Sequence, residues 1–155
     1  MIVESALVGH MLATNKLFAT VPLGLMHLAV MLTAFPASLL MQRLGRRAGF
    51  SLGAGAGLIG TTLCTYAVVQ GSFVLFCAGA FINGIYNGFA TFYRFAAADG
   101  ARPEWKSRAI SYVLAGGVLA ALLGPEMAKR TTELLPPHLF AGSFAALAAT
   151  SVVAF

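Results

Sequence analysis

Asn83, Asn87, Thr91 and Arg94 punctuate one apolar run of this sequence at intervals of four, four and three residues. At about 100° per residue they share one sector of a helix, with Tyr86 and Tyr93 along its border. Amides at membrane depth are expensive and seldom face lipid, so they turn toward a cavity or toward another helix. For Asn83 and Asn87 both readings stay open: contacts to a small solute, or interhelical hydrogen bonds. Tyr86 joins them as a cavity candidate whose simpler role is packing. Arg94 lies near the end of its run, where a long side chain reaches an interface. Asp99 follows and offers a partner for a structural or gating ion pair; contact with an anionic substrate is the lesser alternative. His27, inside an earlier run, could bond a neighbouring helix as a neutral imidazole or titrate as a proton carrier. Glu126 reads as a local pair with Arg130 four residues on.

Other chemistries have little support. Gly55-Ala56-Gly57-Leu58-Ile59-Gly60 matches a dinucleotide fingerprint, but it lies within an apolar run. Its amides would be consumed by a helix instead of facing a pyrophosphate. Cys64 and Cys77 have no zinc, haem or redox spacing, and in apolar runs a thiol behaves as a small hydrophobe. There are no paired carboxylates, no HExxH and no workable Ser/His/Asp set, so neither an enzyme nor a metal or cofactor site is expected. The net charge is +5, yet the basic residues form short clusters between apolar runs and no aromatic-studded basic stripe, which argues against nucleic acid.

The composition explains what must position these groups. Of 155 residues, 59% are apolar and only 10% charged, against about 25% charged in soluble domains. Lipid is the expected surrounding. About 20 apolar residues cross a bilayer as a helix, and Leu17 to Met41, Ala48 to Val69, Gly71 to Phe95 and Ala109 to Ala128 are each long enough. The expectation is a single transmembrane domain, 1–155, with helices over about 2–13 (partial), 17–41, 48–69, 71–95, 109–128 and 139–155 (partial). The short link at Gln70-Gly71-Ser72 predicts a tight helical hairpin. Glu4 precedes the first basic residue, Lys16, so no secretory signal is read. Arg43, Arg46, Arg47, Arg102, Lys106 and Arg108 fall on one side and Lys16, Lys129 and Arg130 on the other. Six against three favours the Arg-rich links facing the cytoplasm.

Glycines recur every four residues at Gly49, Gly53 and Gly57, at Gly84 and Gly88, and, with Ala120 between, at Gly116 and Gly124. Small residues so spaced let helices approach closely where lipid supplies no hydrophobic drive, so each stripe predicts a tight seam.

Two segments carry a family resemblance. Ser38-Leu-Leu-Met-Gln42-Arg43-Leu-Gly45-Arg46-Arg47 resembles the G-x-x-x-D-R-x-G-R-R loop signature of the major facilitator superfamily, with Gln42 for its Asp and Ser38 for its leading Gly. Ala120-Ala-Leu-Leu-Gly124-Pro125 resembles the family's G-x-x-x-G-P motif, followed by Ala128-Lys129 instead of a glycine pair, and no antiport is read from it. The Arg usual early in the fourth helix is absent; Gly79 and Ala80 stand there.

The resemblance implies an all-α integral membrane protein, an incomplete N-terminal six-helix half of a secondary transporter in the bacterial inner membrane, working by alternating access. It implies a cavity drawn from Asn83, Tyr86, Asn87 and His27, and gating by Arg43, Gly45, Arg46, Arg47, Arg94 and Asp99. Gly124 and Pro125 would kink a moving helix. The expected partners are the bilayer, an unidentified small-molecule substrate, and a missing C-terminal half or second copy, the chain being inactive alone. The rival reading is a non-transporting membrane scaffold or assembly subunit.

Overall fold

A computed structural model describes residues 8–12 and 16–131, with backbone alone at 16, 125 and 127–131. The expected partial helix over 139–155 lies outside them, as do 2–7 and 13 of the expected first helix. Among the described residues there is no strand. Residues 8–12 are helical, a short 3-10 turn follows at Lys16–Phe18, and five helices complete the order: α1 (Val21–Leu44), α2 (Arg46–Gln70), α3 (Phe73–Ala90), α4 (Tyr93–Gly100) and α5 (Lys106–Thr131). Among the described residues, four stretches are long and apolar enough to cross a membrane: Val21–Leu44, Arg46–Gln70, Phe73–Gly100 and Pro103–Gly124.

Local chemistry sets the ends. Pro22 occupies the first turn of α1, where its missing N–H costs nothing. Gly45, at φ +82°, separates α1 from α2, a conformation that disfavours any Cβ. The hairpin between α2 and α3 closes as a Schellman turn. Gly71 at φ +65° donates to the Val68 carbonyl at 3.2 Å, and Ser72 N–H to the Ala67 carbonyl at 3.0 Å. Ser72 then caps α3, its Oγ accepting from Leu75 N–H at 3.5 Å.

The single helix expected over 71–95 is divided at Thr91-Phe92. The Thr91 hydroxyl donates to the Gly88 carbonyl at 2.7 Å, and Phe92 N–H reaches the Phe89 carbonyl at 3.1 Å, three residues back. A side-chain donor competing for a ladder carbonyl tightens the turn and re-aims the chain beyond it.

The α2–α3 seam is the centre of the bundle. Its antiparallel register sets a small residue against a larger one at each level. A Cβ on Gly53 would lie 2.7 Å from Phe89 Cβ, on Gly57 3.0 Å from the Tyr86 ring, on Gly60 2.8 Å from the Asn83 backbone nitrogen, and on Gly79 2.6 Å from Cys64 Sγ. At the hairpin end Cys64, Ala67 and Phe76 form a buried cluster with Val8 from the N-terminal segment. α1 packs on the other side of α3: Gly84 faces the Met26 carbonyl and Ala29, and Gly88 faces Thr33. The outward face of α1 stays open, with Met31 75% and Phe35 74% exposed, as lipid-facing side chains would be.

α5 stands apart, packing against α4 and the turn at Pro103–Trp105. No residue from 101 to 124 is buried, and nothing lies within 4 Å of a Cβ on Gly116, Gly117 or Gly124. The seam expected on that stripe is therefore not formed among the described residues, because no element of the α1–α3 bundle packs over it.

These contacts separate two kinds of glycine. Gly84→Ala drives a methyl into the α1 backbone and is expected to destabilise by about 1–3 kcal/mol. Gly55, with open space where its Cβ would stand, is expected to accept Ala with no loss and a gain of up to about 1 kcal/mol in helix propensity. Thermal unfolding of both variants in detergent checks this; equal midpoints would contradict the close approach.

Candidate functional site

Two places gather the polar residues: the Arg-rich ends of α1 and α2, and the interior of the α2–α3 seam. At the first, Arg43 lies in the last turn of α1, where a cation complements the helix dipole. Arg46 and Arg47 open α2, where the dipole disfavours positive charge. Asp99, in the last turn of α4, is an anion at an equally disfavoured end. Arg46 and Asp99 resolve both conflicts by pairing: the Arg46 guanidinium donates to Asp99 Oδ2. The side chains are 47% and 54% exposed, so the pair tethers α4 to α2 more than it adds global stability. A second tether lies beside it, where the Phe50 and Tyr93 rings stack with centroids 4.6 Å apart.

The expected pairing of Arg94 with Asp99 is not what forms. Five residues apart on a helix, the two point about 140° away from each other. Arg94 instead lies over the Phe95 ring at 5.0 Å, an exposed cation–π contact. The acid meets its partner 53 positions away, which needs the bend at Thr91-Phe92.

Between these elements lies a cleft of about 320 Å³, lined by Ser38, Met41, Gln42, Arg46, Phe50, Phe92, Phe95 and Ala96. Sequence reasoning singled out Gln42 and Ser38 only as loop-motif positions, and it missed the three phenylalanines. Their shared signal is slight: aromatics near the ends of two runs that become neighbours only after α2 and α3 fold back.

In the seam, Asn83 is 1% exposed. Its Nδ2 donates to Cys64 Sγ at 3.7 Å, a weak acceptor, and its Oδ1 has no hydrogen-bond partner among the described residues. The side chain bridges α2 and α3, beside Gly60. Asn87 is half-buried and donates to its own helix at the Asn83 carbonyl, 2.9 Å away; Tyr86, also half-buried, packs over Gly57. The predicted polar sector therefore splits: one residue enters the seam, and Asn87 and Thr91 bond their own backbone.

His27 is exposed, and its Nδ1 meets the Leu23 carbonyl of its own helix at 2.9 Å. The expected bond from a buried imidazole to a neighbouring helix does not form, because His27 sits on the outward face of α1 while Met26 and Ala29 face α3. Gly124 is exposed and α5 continues through Pro125 to Thr131. The side chain of Arg130, proposed to pair with Glu126, lies outside the described residues. Among the described residues, no group of three or more His, Cys, Asp or Glu side chains could hold a metal ion.

No family model and no solved structure matches this chain. One curated protein does: riboflavin transporter RfnT of Brucella anthropi, 36% identical over 148 residues. The likeness covers 96% of this chain but 37% of that protein, so the chain spans little more than a third of the relative it matches. Apolar crossing helices and a transporter relative together support an integral membrane protein.

Two outcomes are expected from this geometry. In a double-mutant cycle of Arg46→Gln and Asp99→Asn, the coupling energy is expected to stay below about 1 kcal/mol, as for exposed pairs. Hydrogen exchange should nevertheless speed up selectively in α4. A coupling several times larger would mean the pair is far more enclosed than its exposure implies. For Asn83, replacement by Leu is expected to keep the bundle folded within about 1 kcal/mol, because an unpartnered amide oxygen is removed along with a weak bond to sulfur; detergent unfolding curves read this directly.

Proposed function

We propose that this chain supplies the N-terminal half-bundle of a secondary transporter of the major facilitator type, moving a small solute across the bacterial cytoplasmic membrane by alternating access. The observation that carries the reading is the 36% identity to a riboflavin transporter along 96% of the chain. It makes riboflavin, or another flat heteroaromatic solute, the first substrate to test. A half-bundle has one wall of a pathway, so the function needs complementary helices, from the rest of a longer chain or from a second copy. The open faces of α1 and α5 are consistent with that need.

In this reading the Arg46–Asp99 tether acts at the gate, holding the α4–α5 arm against α2 in one state and releasing it in another. Arg43, Gly45 and Arg47 shape the same turn, and Arg94 lies on the arm itself. Tyr86 and Asn87, half-buried on α3, remain the cavity candidates. Asn83 acts in the seam, and His27 on the open face of α1 would serve only if another helix covers it. Gly124 and Pro125 would bend α5 where it moves.

The test is radiolabelled riboflavin uptake by a flavin-auxotrophic bacterium. One strain expresses the chain alone; another expresses it joined to the remaining part of the Brucella anthropi transporter. Uptake is expected from the chimera and not from the chain alone. Asp99→Arg in the chimera should reduce it by about threefold to fivefold, the range set by an exposed ion pair, and adding Arg46→Asp should restore part of the loss. Background uptake by a chimera that is correctly inserted would reject the transporter reading. A scaffold would show no uptake and no response to the charge swap.

A further inference from the structure

We propose that the cleft between the Arg-rich ends of α1 and α2 and the α3–α4 bend is a docking station for a planar heteroaromatic ring with an imide-like polar edge. This rests on the reading of the chain as part of a flavin transporter, since the isoalloxazine ring of riboflavin is such a group.

The volume, about 320 Å³, lies at the lower end of small-molecule pockets, which run from about 300 to 1,000 Å³. The lining divides by chemistry. Phe50, Phe92 and Phe95 present ring surface, and planar π systems prefer offset or tilted contact with such rings. All three have a ring partner before any ligand arrives: Phe50 stacks on Tyr93, and Phe92 and Phe95 tilt against each other at a centroid distance of 6.3 Å, with Arg94 over the Phe95 ring. Ser38, Gln42 and Arg46 supply the polar side. A glutamine amide carries a donor and an acceptor together, the complement of an imide edge, and arginine has five N–H donors, of which Asp99 engages one nitrogen.

Charge separates this ligand from a lipid. Phosphate headgroups are held by clusters of uncompensated Lys and Arg, whereas the charged side chain in this lining, Arg46, is neutralised by Asp99. An acyl chain would leave the polar groups of Ser38 and Gln42, and the Arg46 N–H groups that Asp99 does not engage, facing hydrocarbon, which is costly. A neutral ring with a polar edge satisfies both sides.

The experiment titrates riboflavin against the purified full chain in detergent micelles and reads quenching of flavin fluorescence, with helix content by circular dichroism confirming that each variant is folded. Saturable quenching is expected. Phe95→Leu should weaken it by about tenfold through loss of ring stacking, and Gln42→Leu by about threefold to tenfold through loss of its amide hydrogen bonds, while Phe95→Tyr keeps it. Tyr66→Leu removes an exposed aromatic at the opposite end of α2 and should leave it unchanged. Absent quenching, equal weakening by Tyr66→Leu, indifference to the cleft variants, or loss of the signal when phosphatidylglycerol is added to the micelles each overturns the proposal. The two readings fail separately. Uptake by the chimera with flavin binding indifferent to the cleft leaves transport standing and removes the cleft; cleft-dependent quenching without uptake does the reverse.

Discussion

The close backbone approach of α2 and α3 is the constraint on which the rest of this bundle depends. In lipid, apolar side chains gain little by leaving their surroundings for one another, so association must come from dispersion contacts and a few hydrogen bonds. Those contacts need backbones near enough to touch. Gly53, Gly57, Gly60 and Gly79 make the room, and Phe89, Tyr86, Asn83 and Cys64 fill it in antiparallel register. The Schellman turn at Gly71 fixes that register at one end, because a hairpin so short leaves no freedom to slide. α1 then docks on α3 through Gly84 and Gly88 by the same rule.

The Arg-rich end is a consequence of this packing. Once α2 and α3 are aligned, the bend at Thr91-Phe92 delivers α4 back over the first turn of α2. A cation and an anion, each on the wrong end of its own helix dipole, come within reach and neutralise each other. The aromatic rings around them are drawn from both sides of the seam, so the cleft exists only because of the α2–α3 register. The tether is exposed and weak, and α5 is attached to the bundle mainly through α4. The result is a rigid seam carrying a lightly held arm.

Much of this was legible in the order of residues. The crossing helices come from unbroken apolar length, the hairpin from Gly71 and Ser72, and two of the three glycine stripes from their spacing of four. Asn83 was visible as an expensive group that must turn away from lipid, toward a cavity or another helix. Its actual partner was not, since both a cavity and a seam satisfy the same spacing. His27 showed the opposite failure: a histidine in the middle of an apolar run suggests burial, but one step around the helix from Met26 puts it on the open face. Asp99 was assigned to Arg94, five residues back along the chain, although its partner, Arg46, is 53 positions away.

Local and periodic properties were therefore largely determined by the sequence alone: which stretches form crossing helices, where the α2–α3 hairpin turns, and which positions of α2 and α3 must be small. Tertiary structure alone decided what meets what: Asn83 with Cys64, Arg46 with Asp99, and three phenylalanines around one cleft. The physical reason is that helix formation and membrane crossing depend on neighbours a few residues apart. The azimuth of each helix about its own axis is chosen only when two surfaces interlock, and a rotation of one residue moves a side chain from the seam to the lipid.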